Sequence, residues 1–365
     1  TELASPKEIR VIQLIDSLEP GGAERMAVTI ANGLANEVTF SGLVATRLEG
    51  GLKNTLAKKV EYTFLNKMKA LDFSALFCLR DFVKKNKVNT IHAHGSSYFF
   101  AVLLKLTTPS IQIFWHDHFG NRVKSQEGYF LLRFFSIFFN GVFTVNEALK
   151  DWAQKKLWVK YVDFLSNFTS ESEDEIPVTF LKGTPNKRIV FLANLHAPKN
   201  HILALKAFLN SKIASQDWTL HLIGKDKQDD YSQELKNFIH QNNLQEAVFI
   251  YGSCNDVKSI LGQAKVGILV SSYEGFPVTL LEYGMAELTV ISTNVGYCNT
   301  IIQNNKTGYL IPSDNNELLT EAFIKLANES HKNDTLAKNL NTFVKNNYDP
   351  EKVIQKIMEA YQKYL

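Results

Sequence analysis

The sequence predicts an α/β chain of two doubly wound domains facing a central cleft, and three observations carry that reading. Apolar β-branched runs alternate with segments of helical periodicity along the whole chain, as in "IRVIQLI" followed by "AERMAVTIANGLA", where Met26, Ile30 and Leu34 share one helix face. The alternation stops once, at the polar, acidic "TSESEDEIPVTFLKGTPNK", and then resumes with "KRIVFLANL". A length of 365 residues exceeds what one core usually supports, which makes two domains the default. The expected boundaries are residues 1–168, a linker at 169–187, a second domain at 188–345, and a closing helix at 346–365.

Composition bounds the class. With 45% hydrophobic and 21% charged residues, the chain is that of a globular protein able to bury a large core. Cys78, Cys254 and Cys298 are odd in number and widely spaced, which fits neither a disulfide framework nor a zinc site and suggests a reducing, cytoplasmic setting. No run of 18 apolar residues is present, so no membrane span is expected, and the first residues do not read as a signal peptide. Residues 1–170 carry 21 Lys and Arg against 15 Asp and Glu, so the first half is basic and favours an anionic surface. Nothing in the sequence indicates nucleic-acid binding.

Taken in order, the elements raise distinct questions. "EPGGAERM" places Gly21 and Gly22 after the first strand, where backbone can approach a phosphate at a helix start; without G-x-G-x-x-G, a dinucleotide fingerprint is unsupported. "FWHDHFG" sets His116, Asp117 and His118 at the carboxyl end of a strand, the edge at which such sheets bind ligands. His118 and Asp117 are candidates for acceptor contact; two histidines with one spacer do not make a metal site. "QEGYFLLRFFSIFFNGVF" is apolar on all sides of a helix expected over residues 127–139, which reads as core in preference to a membrane-surface helix. Asp226, Asp229 and Asp230 in "GKDKQDDY" read as a solvated loop, and no metal or other cofactor is expected. "YDPEKVIQKIMEAYQKYL" opens with Asp349 as N-cap and Pro350 at the first helical position, then runs an apolar stripe from Val353 to Leu365.

The densest chemistry lies in "SSYEGFPVTLLEYGMA". Pro277 reads as the first residue of a helix over 277–286, with Glu274, Gly275 and Phe276 leading in. At 1.5 Å per residue, Glu274 and Glu282 fall on the order of 10 Å apart, too far to share a proton. The free amides of Val278 and Thr279 between them favour an anion. A ligand polyhydroxylated at both ends and anionic in the middle fits this clamp, which describes a nucleotide-sugar; the competing reading is a loop acid and an exposed helix acid.

"EGFPVTLLEYGMA" resembles the E-x7-E signature of retaining glycosyltransferases of the GT-B fold, family GT4, and the rest of the chain agrees in order: "PGGAERM", "FWHDH", "FLSN", "LIGKD", "YGS" and "VGYCNTIIQNNKTGYLIP". The resemblance implies two Rossmann-like domains, an N-terminal one for the acceptor and a C-terminal one for the donor, with the last helix crossing back to the first. It places His116 at the reacting sugar, Lys199 in "NLHAPKNH" on the diphosphate, Gly21 and Gly22 toward the donor, and Glu274 and Glu282 on sugar and ribose, with catalysis resting on Glu274, His116 and Lys199. The chain departs from the family at Asn194, where Arg is usual, and at Tyr297 and Thr300, where Gly and Glu are usual.

The function expected is transfer of a hexose or N-acetylhexosamine from a nucleotide-sugar, UDP more than GDP, to a glycan or lipid-linked glycan in bacterial surface-polysaccharide synthesis, with peripheral contact to an anionic membrane. The alternatives are a sugar-nucleotide epimerase or hydrolase of the same fold, a non-catalytic sugar-nucleotide-binding protein, and a nicotinamide oxidoreductase.

Overall fold

A computed structural model describes residues 8–119, 122, 129–168 and 177–365. The chain divides into two compact units, one of residues 1–170 and 348–365 and one of residues 171–347.

The first unit is built on strands β1 (Arg10–Ser17), β2 (Phe40–Leu48), β3 (Glu61–Phe64), β4 (Thr90–His94), β5 (Gln112–Asp117), β6 (Gly141–Thr144) and β7 (Val162–Phe164). They form one parallel sheet in the order β3-β2-β1-β4-β5-β6-β7. Its helices are α1 (Gly22–Leu34), α2 (Phe73–Lys85), α3 (Tyr98–Thr107), α4 (Tyr129–Phe135) and α5 (Glu147–Lys156). Central strands of a parallel sheet are covered on both faces and so read as apolar runs; Val11, Ile12 and Leu14 of β1 are fully buried. One layer of core joins Met26, Ile30 and Leu34 of α1 to Phe114 and Phe143 of the sheet and to Val353, Ile354, Ile357 and Tyr361 near the C-terminus.

The second unit carries β8 (Arg188–Leu192), β9 (Thr219–Ile223), β10 (Val248–Gly252), β11 (Val266–Leu269), β12 (Thr289–Thr293) and β13 (Tyr309–Ile311), all parallel, in the order β10-β9-β8-β11-β12-β13. Its helices are α6 (His201–Ser211), α7 (Asp230–Gln241), α8 (Val257–Gly262), α9 (Val278–Met285), α10 (Cys298–Ile301), α11 (Asn316–Asn328) and α12 (Ser330–Asn347). The last helix, α13 (Pro350–Gln362), belongs to the first unit. Asp72, Asn146, Asp229, Asn315 and Asp349 each cap a helix by accepting a first-turn amide, a contribution of about 1 kcal/mol apiece.

Residues 169–176 of the expected linker lie outside the described residues. The chain from Val178 to Leu181 is fastened to the second unit: the amides of Val178 and Thr179 donate to Asp256 at 2.7 and 2.6 Å, and Leu181 N donates to Gln263 Oε1 at 3.0 Å. No described helix is long and apolar enough to cross a membrane.

Candidate active site

In each sheet the strand order reverses once, between β1 and β4 and between β8 and β11. Ligands of open parallel sheets bind outside the carboxyl ends of the strands at such a point. Each unit carries candidate residues at that edge of its own sheet.

In the second unit, Lys199 ends a short 3₁₀ turn after β8, and Glu274 lies in the loop after β11. The structure joins them: Lys199 Nζ donates to Glu274 Oε1 at 2.5 Å. Ser271 Oγ donates to the same oxygen at 2.6 Å, and Glu274 is buried at 9% exposure. A carboxylate so enclosed needs such charge-assisted partners. Ser271 is a site residue that sequence reasoning misses, because a serine at a strand end carries no distinctive signal.

The turn into α9 departs from expectation. Pro277 is the N-cap and not the first helical residue, with φ −82° and ψ 86°, which is the geometry of an inverse γ-turn. Val278 N accordingly donates to Phe276 O at 3.1 Å. The amide expected to be free at Val278 is therefore spent within the turn, while that of Thr279 stays in the first turn of the helix. The physical reason is ψ: a proline fixes φ only, and the loop sets ψ outside the helical range. α9 is held by Tyr283, whose ring lies where a Cβ on Gly267 would come within 2.5 Å, and whose hydroxyl accepts from Leu192 N at 2.8 Å. Glu282, its neighbour, is half-buried.

The loop bearing Glu274 and Gly275 is braced from behind. Gly296 has φ +52°, and a Cβ there would lie 1.8 Å from Glu274 O. Only glycine satisfies both the left-handed backbone and that approach. Tyr297 stacks on Phe276 with ring centroids 4.9 Å apart, so one departure from the family pattern packs against the signature loop itself. Thr300 is exposed. Asn194 Oδ1 accepts from Lys225 N at 2.9 Å, tying the loop after β8 to the loop after β9. Asp226 pairs with Lys236 at 2.7 Å and Asp229 caps α7, so two of those three aspartates have structural partners.

In the first unit, α1 begins at Gly22 with Gly21 as its N-cap. A Cβ on Gly21 would meet Glu24 Oε2 at 2.3 Å, while Gly22 faces open space. The Glu24 carboxyl thus folds over the helix start, and burial pushes its pKa up.

His116, the penultimate residue of β5, is fully buried, and beside it the structure assembles a group that no sequence motif marks. His92 and His94 of β4 stand next to His116 and His118. His92 Nε2 and His116 Nδ1 are 3.2 Å apart, and His94 Nδ1 and His118 Nε2 are 2.9 Å apart. His92 Nδ1 lies 2.6 Å from the Tyr361 hydroxyl of α13, and His94 Nε2 donates to Gln13 Oε1 at 2.9 Å. The rings of His116 and His118 stack at 4.0 Å. His92, His94 and His116 offer nitrogens within 4.8 Å of one another, but both nitrogens of His92 and both of His94 are engaged in these hydrogen bonds. Burial lowers all four pKa values, to about 3 for His92 and His118 and well below the ordinary range for His94 and His116, so the rings are neutral near pH 7. The signal available in the sequence is "IHAH", two histidines at period two in a strand with every residue buried.

Asp117 is placed otherwise than an acceptor contact needs. Both of its oxygens are engaged within the protein: Arg122 Nε donates to Oδ2 at 2.6 Å and Phe119 N donates to Oδ1 at 3.0 Å. The guanidinium lies over Trp115 and Phe119, 5.4 Å from each ring centroid. Burial raises the Asp117 pKa, against the lowering by Arg122.

The apolar segment expected over 127–139 is a helix only over α4, followed by a 3₁₀ turn at Ser136–Phe138; residues 127 and 128 lie outside the described residues. The reading of this segment as core holds for one face. Leu132 and Phe139 are buried, whereas Phe130 is 83% exposed and Leu131, Phe134 and Ile137 are at least half exposed. The helix lies at the surface with Phe135 against Phe99 and Tyr98 of α3, so only one side meets the core.

Residues 172–361 match the family model of glycosyl transferases group 1, and residues 20–168 match that of glycosyltransferase family 4. An uncharacterised glycosyltransferase of Haemophilus influenzae is 24% identical over 84% of this chain and 87% of its own length. The GalNAc-alpha-(1->4)-GalNAc-alpha-(1->3)-diNAcBac-PP-undecaprenol alpha-1,4-N-acetyl-D-galactosaminyltransferase of Campylobacter jejuni is 26% identical over 91% of this chain and 92% of its own. Among solved structures, Anabaena HepE in complex with UDP and glucose superposes with a TM-score of 0.78 at 16% identity, covering 97% of this chain and all of that one. The likeness shows the GT-B fold.

Proposed function

The chain belongs to the group 1 glycosyl transferases, and from that premise we propose that it moves a hexose or N-acetylhexosamine from a UDP-sugar to a glycan or lipid-linked glycan acceptor, with retention of anomeric configuration, in surface-polysaccharide assembly. The observation that carries the proposal is the Lys199–Glu274 pair at the switch point of the second sheet, beside the start of α9. The UDP of HepE and the undecaprenol-linked acceptor and alpha linkage of the C. jejuni relative support the choice of donor, acceptor and stereochemistry.

The bond between the anomeric carbon and the diphosphate oxygen breaks and UDP leaves with the electron pair; through an oxocarbenium-like state the acceptor hydroxyl oxygen bonds to that carbon and its proton passes to the departing phosphate. Lys199 and the first-turn amide of Thr279 meet the growing negative charge. Glu274 places the sugar: both of its hydrogen bonds to the protein fall on Oε1, and Oε2 is the oxygen for a sugar hydroxyl. Glu282 takes the ribose diol and His116 a hydroxyl of the reacting sugar, while His118 contacts the acceptor. Preorganised contacts of this kind are worth roughly 10²- to 10³-fold in rate each. No metal is required by this set of residues.

The exposed apolar side of α4 supports peripheral attachment to an anionic leaflet. Arg133 lies 4.7 Å over the ring of the exposed Trp158, an aromatic and a cation beside that face, the pairing expected of an interfacial helix.

The test is thermal stabilisation by a panel of nucleotide-sugars, then nucleotide release with and without a polyprenyl-diphosphate-linked glycan and assignment of the product's anomeric configuration. Stabilisation by a UDP-sugar and acceptor-dependent release of UDP are expected. Release equally fast without acceptor would make the protein a hydrolase, and an inverted product would end the retaining assignment.

A further inference from the structure

Among the described residues, His116 Nε2 is a fully buried ring nitrogen without a hydrogen-bond partner, and buried polar atoms left unpaired in a folded protein call for explanation. Behind it stands a chain of hydrogen bonds. Tyr361 is fully buried and burial raises its pKa, so it keeps its proton. That proton needs an acceptor, and His92 Nδ1 lies 2.6 Å from the hydroxyl oxygen.

We propose that Tyr361 and His92 are positioning residues that fix the tautomer of His116: the Tyr361 hydroxyl donates to His92 Nδ1, His92 Nε2–H donates to His116 Nδ1, and His116 Nε2–H is thereby committed as a donor to a hydroxyl oxygen of the bound sugar. A second branch runs beside the first. Gln13 Oε1 is a carbonyl oxygen and can only accept, so His94 carries its proton on Nε2. His94 Nδ1 then accepts from His118 Nε2–H, which leaves His118 Nδ1 bare, an acceptor for a hydroxyl. Two stacked rings thus present opposite characters, a donor at His116 and an acceptor at His118. The logic is that of a second partner setting which ring nitrogen is protonated. It also gives α13 a role in the chemistry: docking of the C-terminal helix delivers the hydroxyl at the head of the chain, 269 residues from His92 in sequence.

The inference rests on the proposed contact between His116 and the sugar, and its test reads the tautomers without activity. In ¹⁵N-labelled protein near neutral pH, histidine long-range N–H correlations should show His92, His94, His116 and His118 all neutral and in the Nε2–H form. Tyr361→Phe keeps the ring that packs edge-on to Phe114 at 5.0 Å and removes the hydroxyl, which also meets Gln13. It should mix the tautomers of His92 and His116 and lower kcat about tenfold, with KM for the donor and the melting temperature little changed. The Nδ1–H form at His116 in the parent protein overturns the proposal. So does a Tyr361→Phe protein with unaltered spectrum and turnover, or a stoichiometric metal ion bound by these rings. If the tautomers respond in this way but His116→Asn leaves turnover untouched, the sugar contact fails and the relay stands.

Discussion

Lys199 Nζ donates to Glu274 Oε1 at 2.5 Å across the point where the second sheet reverses its strand order. A cation and a carboxylate 75 residues apart are thus brought to one spot by the crossover between β8 and β11. On the proposed function a diphosphate arriving there would share the ammonium with Glu274, so the variants of the two side chains should differ in kind.

Lys199→Ala removes the charge proposed to meet the diphosphate. Hydrogen bonds to charged groups contribute about 1.5–3 kcal/mol, so UDP affinity by calorimetry should fall roughly 10- to 100-fold with the fold retained. Unchanged affinity would move the phosphates elsewhere.

Glu274→Gln keeps an oxygen for Ser271 but loses the charge opposite Lys199. Turnover should drop on the order of 10²-fold or more while UDP affinity changes far less. Equal loss in both would assign Glu274 to the nucleotide end.

Gly296→Ala places a methyl 1.8 Å from Glu274 O at φ +52°. Such strain costs on the order of 1–3 kcal/mol, and the loop must shift to relieve it. Urea unfolding midpoint and kcat should both decline; stability and turnover equal to the parent would show that the brace is not rigid.

Replacing Phe130 and Phe134 by serine should abolish sedimentation with vesicles of phosphatidylglycerol while leaving turnover on a soluble acceptor intact. Each phenylalanine buried in the interface is worth roughly 1.5–3 kcal/mol. Vesicle binding that survives the double change would locate the contact on another surface.

The histidine group makes stability depend on pH. In the unfolded chain each ring takes a proton near pH ~6.5; in the folded protein burial holds His92 and His118 at about 3 and His94 and His116 well below their ordinary value. The contribution is fully present above pH ~6.5 and is lost as pH falls toward ~3, at about 1.4 kcal/mol per pH unit for each fully buried ring. Glu24 and Asp117, whose carboxyls burial raises, act in the opposite sense. Urea midpoints should therefore fall between pH ~7.5 and ~5, and less steeply in His92→Gln; equal midpoints would contradict the burial of neutral rings at His92, His94 and His116.

The sequence by itself determined the two parallel sheets, because strands covered on both faces must be apolar runs and the turns between them must be polar. It also marked Glu274 and Glu282 as candidates by their spacing around a helix start, while Lys199 and His116 became candidates through the family resemblance that the chain's motifs carry. Tertiary structure alone decided what those residues touch. Pro277 sits one position earlier relative to the helix than its residue type suggests, because the loop sets ψ. Asp117 turns to Arg122 because a carboxylate buried at a strand end needs a cation. His92, His94, Gln13 and Tyr361 join His116 through the lateral register of β1, β4 and β5 and the docking of α13, and the lateral neighbour of a strand residue is set by pairing across the sheet, which local periodicity does not encode.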